Sequence, residues 1–292
     1  LPHLASWRHY VSATAARARV AAERGDIEAA AIHLQSASHI PGILTRHALP
    51  IEQLVGYGSA LVLITQIEHL AMNSDMTPQS LKSLKRAQAQ LADLGDLAVA
   101  IRGEQLMLRD TIYRAHTAGG RYIPSVGDPI VSPFAPGKPA GLRDRFLQDV
   151  TGYLKASRAA NLSAADKLFH NFENALSEHD PTVREHLIES ARDPINSLDD
   201  RYEFLKSMAP VLGSVIRTRF EVQARITALT ILLAMAEHRL DHGGWPTSLD
   251  QLVPDYLDAI PVNPLTGQPF EYDHEPGEPP SLLRLGVDPD RL

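Results

Sequence analysis

His238 and His242 stand four residues apart at the end of an apolar stretch, with Glu237 and Asp241 beside them. On an α-helix, residues four apart share a face, and two imidazoles so placed have the spacing of paired zinc ligands. A metal-dependent hydrolase built on His238 and His242 needs a third ligand. The segment has no His-Glu-x-x-His signature, and no third ligand can be identified in the sequence. The same residues also read as a solvated helix end, where polar and cationic side chains sit well against the helix dipole. Hard oxygen donors gather near the C-terminus: Asp288 and Asp290, with Glu271, Asp273 and Glu275 nearby. They are part of the roughly six oxygens that calcium takes; the other reading is an acidic solvated segment. The sequence thus leads to no cofactor expectation beyond calcium or zinc, with His238, His242, Asp288 and Asp290 as the candidate ligands, and to no catalytic set.

Other charged groups sit on otherwise apolar helical patterns. Among Glu68, His69 and Glu104, the carboxylates could pair with Arg17, Arg19 or Arg102 between helices, a structural role in which losing one partner costs a few kcal/mol. Arg217, Arg219 and Arg225, next to Glu221, read as a solvated helical face or as a contact for an anionic partner. Gly56-Tyr57-Gly58 falls inside a helical pattern rather than between strand and helix, so it is no dinucleotide fingerprint. No P-loop, Gly-x-Ser-x-Gly elbow or kinase-like set occurs. The absence of cysteine excludes disulfides, thiolate zinc sites and cysteine nucleophiles. A net charge of −7 and a pI near 6.0 argue against a general nucleic-acid binder, which needs a basic face.

The elements that must position these residues are mostly helical. Residues 5–24 and 27–39 form an Ala-rich hairpin joined at Gly25-Asp26, the second helix stopping at Ile40-Pro41-Gly42. A third helix begins at Pro50 and runs to Asn73, with Gly58 allowing a neighbour to approach. Thr77-Pro78 starts a fourth, and Asp96 caps a fifth that Gly119-Gly120 ends. Five prolines between Arg121 and Gly141 exclude helix there. Helices resume near Leu142, after Leu162-Ser163 and after Asp180-Pro181. The longest spans residues 197–240, with a break expected near Pro210-Val211-Leu212-Gly213. The domain reading is 1–120 for helical hairpins, 121–141 for a Pro-rich loop, 142–242 for a second helical half, and 243–292 for a small tail. The fold class is mainly α: an antiparallel helical array whose long helix leads into a small C-terminal α+β unit.

Two resemblances refine this. Ala22 to Ala30, followed by Leu34, Ala37 and Pro41, resembles the second half of a tetratricopeptide repeat, in one copy. From about Ala224 the chain is similar to the globular part of type II secretion major pseudopilins. The match is carried by Gly244, Trp245-Pro246, Leu249, Leu252-Val253-Pro254, Tyr256-Leu257, Pro261, Asn263-Pro264, Gly267, Pro269 and Tyr272. It implies a turn after the long helix, a short Leu-rich helix, a proline loop and a Tyr-bearing strand. Trp245 replaces the family's Tyr and Asn263 its Asp. More than two hundred residues precede the unit, and Pro289 interrupts the segment corresponding to the calcium loop, so filament assembly is not implied. The whole chain resembles bacterial proteins that join a helical domain to such a tail.

Trp245, Leu249, Leu252, Tyr256 and Tyr272 are expected to close the tail's core. No run reaches the roughly 18 apolar residues of a membrane span, and the chain begins at Leu1 rather than Met. Any membrane anchor is expected upstream of Leu1, and the secretion-like tail implies an extracytoplasmic or membrane-anchored protein. The functional expectation is a non-enzymatic scaffold or interaction protein of the bacterial cell envelope, with protein rather than nucleic acid as partner.

Overall fold

The computed structural model describes residues 2–73, 75–123, 156–196, 202–275 and 278–287. The described residues form α1 (Pro2–Glu23), α2 (Ile27–Ala37), α3 (Ile40–Thr45), α4 (Pro50–Asn73), α5 (Pro78–Ala92), α6 (Leu97–Arg114), α7 (Arg158–Ser177), α8 (Pro181–Asn196) and α9 (Glu203–His242). The architecture is mainly helical. Most of the Pro-rich stretch, the helix expected near Leu142, and Asp288 and Asp290 lie outside the described residues.

The chain divides into two compact units, one made of Leu1–Leu97 and Val215–Leu292, the other of Ala98–Ser214. In the first, α1 packs on α2 and α4, α2 on α4 and α5, and α3 on α4 and α5. The α1–α2 joint is set by local chemistry. Gly25, at φ +80°, adopts the left-handed conformation that favours glycine, with its N–H bonded to Ala22 O. Asp26 N–H returns to Ala21 O, while the Asp26 side chain accepts from Ala29 N–H to start α2. Thr77 opens α5 with a reciprocal capping box: Ser80 N–H donates to its hydroxyl and Thr77 N–H to Ser80 Oγ.

The C-terminal part of α9 completes this unit. Between Ala228 and Ala236 every residue except Thr230 is buried, so this stretch is apolar around its whole circumference and must be enclosed. Gln88 Nε2 donates to Thr230 Oγ1 at 2.8 Å, and Lys85 is ion-paired with Glu237, joining α5 to α9. One helical span, Pro50–Met72 in α4, is long and apolar enough to cross a membrane by length and composition. Its contacts with α1, α2 and α3 make it a core helix of the bundle.

Three expectations change. Pro41 does not end a helix but lies in the first turn of α3, where its missing N–H costs nothing. The break expected at Pro210–Gly213 is absent, since α9 runs unbroken from Glu203 to His242. The close approach assigned to Gly58 belongs to its neighbour Gly56 and to Gly95. A Cβ on Gly58 would meet nothing within 4 Å, whereas one on Gly56 would lie 2.7 Å from Thr45 Cγ2 and one on Gly95 2.1 Å from Thr45 O. Thr45 is the hub of that contact: its hydroxyl donates to Pro41 O at 2.8 Å and accepts from Gly95 N–H at 2.8 Å.

In the second unit α7 packs on α8. Ser157 caps α7 by accepting from Ala160 N–H, so that helix starts before the expected Leu162-Ser163. Asp180 caps α8, accepting from Thr182 and Val183 N–H at 2.8 and 3.0 Å. Arg102 and Arg109 on α6 pair with Glu173 and Asp166 on α7.

Beyond Gly243 the expected short strands do not form among the described residues. A single antiparallel bridge, Val262 with Pro269, stands in their place. Asn263 organises that turn, its side chain accepting from Leu265 N–H at 2.9 Å and its carbonyl from Gly267 N–H at 2.8 Å. Leu249 and Leu252 are buried as expected, but Trp245, Tyr256 and Tyr272 are only half-buried. Phe270, Leu282, Leu285 and Val287 of the tail are buried as well.

The two glycines make opposite predictions. Gly95→Ala pushes a methyl into backbone and should destabilise by about 1–3 kcal/mol. Gly58→Ala, at an exposed position of α4, should stabilise by about 0.5–1 kcal/mol. Urea midpoints of the two variants against the parent check both signs.

Candidate functional site

The end of α9 brings together His238, Asp241, His242 and, from the tail, Tyr256. The two imidazoles stack with centroids 4.3 Å apart and planes 15° apart. His238 Nδ1 lies 3.2 Å from Gly244 O, and His242 Nδ1 3.2 Å from His238 O; each ring donates through Nδ1 to a carbonyl, His238 to the backbone just past α9 and His242 to the backbone one turn back along it. Tyr256 donates its hydroxyl to Asp241 Oδ2 at 2.9 Å and stands 3.3 Å from His242 Nδ1. Partial loss of water, then the Asp241 carboxylate, raise the Tyr256 phenol above its usual range. The Arg239 guanidinium covers the Trp245 ring at 4.7 Å.

A metal shared by two imidazoles must lie in both ring planes. Nearly parallel stacked rings do not provide such a point, so His238 and His242 do not converge on an ion in this geometry. Among the described residues no three His, Cys, Asp or Glu side chains are grouped to hold a metal. The Tyr256–Asp241 hydrogen bond ties the tail to the end of α9.

The buried charges lie elsewhere. Glu68 on α4 accepts from Leu282 N–H through Oε1 at 2.8 Å, a contact spanning 214 residues of sequence. Arg225, expected on a solvated face, is buried, as is its neighbour Glu221, 3.6 Å away. Burial raises the Glu68 carboxyl above its ordinary value of 4.5, although Leu282 N–H, Arg225 and His69 each favour the anion. Burial likewise raises Glu104. The arginines first considered as partners are engaged differently: Arg19 pairs with Glu23 one turn on, and Arg102 with Glu173. Tyr57 donates to Gln53 Oε1 at 3.0 Å, and burial, with Asp96 acting in the same sense and Arg219 against it, raises its phenol to about 12.

One cluster was not read from the sequence. His3 Nε2 and His47 Nδ1 each lie 3.3 Å from Glu52 Oε1, clasping the start of α1 and the loop after α3 to α4. Neither histidine has a spacing relation to Glu52 that marks it, so only the fold could bring them together.

Comparison with protein-family models, curated proteins and solved structures finds no match. The site is therefore read from its own geometry.

A folded carboxyl value above the unfolded one means that folding takes up a proton. Glu68 accordingly contributes its stability below the unfolded value, near 4.5, and loses it as pH rises through the folded value. The stability difference between parent and Glu68→Gln should fall over that window, since Gln keeps an acceptor but cannot titrate. Glu68→Ala leaves the buried Leu282 N–H without its acceptor and should cost about 1–3 kcal/mol. Urea unfolding of the three proteins across a pH series measures both effects.

Proposed function

We propose that this chain is a non-enzymatic protein-interaction scaffold of the bacterial cell envelope. The observation that carries the reading is an apolar stripe on α6. Val99, Leu106 and Tyr113 recur every seven residues, with Met107 beside Leu106, and are 44%, 68%, 49% and 52% exposed in that order. At 100° per residue the stripe lies about half a turn from the helix's buried face, formed by Ile101, Leu108 and Ile112. Each side chain left in water forgoes about 25 cal/mol per Å² of apolar surface that burial would return, and contiguous exposed apolar surface marks partner sites.

The tail enters this reading as a pseudopilin-like α+β unit, supported by the Trp245-Pro246 turn after the long helix and by the Asn263 loop closed at the Val262–Pro269 bridge. The α1–α2 pair enters as a tetratricopeptide-like hairpin, supported by the buried Ala30 and Ala31 of α2 and the tight Gly25-Asp26 joint. The envelope location rests on the tail's likeness alone.

A photo-crosslinking amino acid placed at Leu106 should give one discrete protein adduct in cells, and the same residue at exposed Lys167 on α7 should give none. Equal labelling at both positions, or none at either, would count against the scaffold reading.

A further inference from the structure

A groove of about 530 Å³ runs between α5 and the end of α9. Its α5 wall presents Pro78, Leu81, Lys82, Lys85, Arg86 and Ala89, the i, i+3, i+4, i+7 set that shares one helical face. Opposite lie Glu237, Leu240 and Asp241. The charges do not cancel once their partners are assigned. Lys85 is ion-paired with Glu237, while Asp241 keeps its charge because the Tyr256 hydroxyl that donates to it is neutral; three cations against two anions still leave the lining positive. Lys82 and Arg86 remain, both exposed, with no ion pair or hydrogen bond to them among the described residues. They stand one helical turn apart, about 6 Å, above an apolar floor to which Leu240 contributes while 37% exposed. The rest of the chain is acidic, with net charge −7, so this cationic edge is a local departure.

We infer that the α5–α9 groove is a docking site for an acidic peptide segment with apolar residues between its carboxylates. The apolar side chains lie along Leu81 and Leu240, and two carboxylates one helical turn apart meet Lys82 and Arg86. Phosphate-rich ligands are disfavoured because Glu237 and Asp241 line the opposite wall, whereas carboxylates spaced on a peptide reach the two free cations without crossing it. The inference extends the interaction reading to a second surface, separate from the α6 stripe, so the two can fail independently.

The test uses the full chain and a library of short random peptides displayed on phage, with selection on the parent protein. Enriched sequences should carry paired Asp or Glu with Leu, Ile or Phe between them. A labelled peptide from that set should bind the parent at least tenfold more tightly than Lys82→Glu/Arg86→Glu, and more weakly as salt rises. Lys82→Ala/Arg86→Ala serves as a second pair should the charge reversal unfold the protein, and melting temperatures check folding of both. Enriched peptides without acidic bias, or binding that neither variant weakens, would overturn the inference. So would a library that yields no binder while phosphatidylserine vesicles bind the parent and not the variants, since the groove would then face a membrane. Loss of the Leu106 adduct with peptide docking intact would instead count against the α6 stripe alone.

Discussion

A carboxylate that folding removes from water must find hydrogen-bond donors and opposite charge there or give up its own charge. Glu68 obeys this by accepting from the backbone of Leu282 while Arg225 of α9 lies near enough to favour its anion. Three segments far apart in sequence meet at that requirement: the C-terminal part of α4, the middle of α9 and the last described turn of the tail. The apolar anchors Leu282, Leu285 and Val287 supply area, but area is non-directional. The Glu68 contact fixes which backbone atom of the tail faces α4. A tail with few regular backbone ladders is thereby held in one register.

The same economy appears at the end of α9. His238 and His242 look like ligands when only their spacing is considered. In the fold their Nδ1 atoms face carbonyls and their rings lie against each other, while Tyr256 reaches Asp241 from the tail. Both imidazoles are thus bonded to backbone close to them. Buried Glu221 and Arg225 follow the opposite course, since a charged pair that reads as a wet helical face is enclosed. Such a pair contributes little net stability but is costly to break, which makes it a constraint on how α9 packs.

What could be read from the sequence was local. Thr77-Pro78, Asp180-Pro181 and Gly25-Asp26 each announce a helix boundary because capping uses atoms within a few residues of one another, and the structure places helix ends at all three. Pro41 misleads because the same residue that stops one helix is well suited to start the next. Gly56 and Gly58 cannot be separated by spacing alone, since the difference lies in Thr45 approaching one and not the other. The Glu68 contact was invisible for a stronger reason: its donor is a main-chain N–H, which any residue but proline supplies. The His3–Glu52–His47 clasp was invisible because its members belong to segments whose meeting is a property of the fold.

The interleaved course of the chain has a temporal consequence. The first unit is made of Leu1–Leu97 and Val215–Leu292, so a ribosome releases α1 to α5 well before the stretch of α9 that completes the unit. At roughly 5–20 residues per second, the intervening stretch takes on the order of ten seconds to translate. Through that delay Lys85 and Gln88 of α5 lack the partners they find on α9, Glu237 and Thr230. Nascent chains of this protein thus pass through a stage in which half a core awaits its other half, and whatever shields it then acts before the molecule has any mature surface to offer.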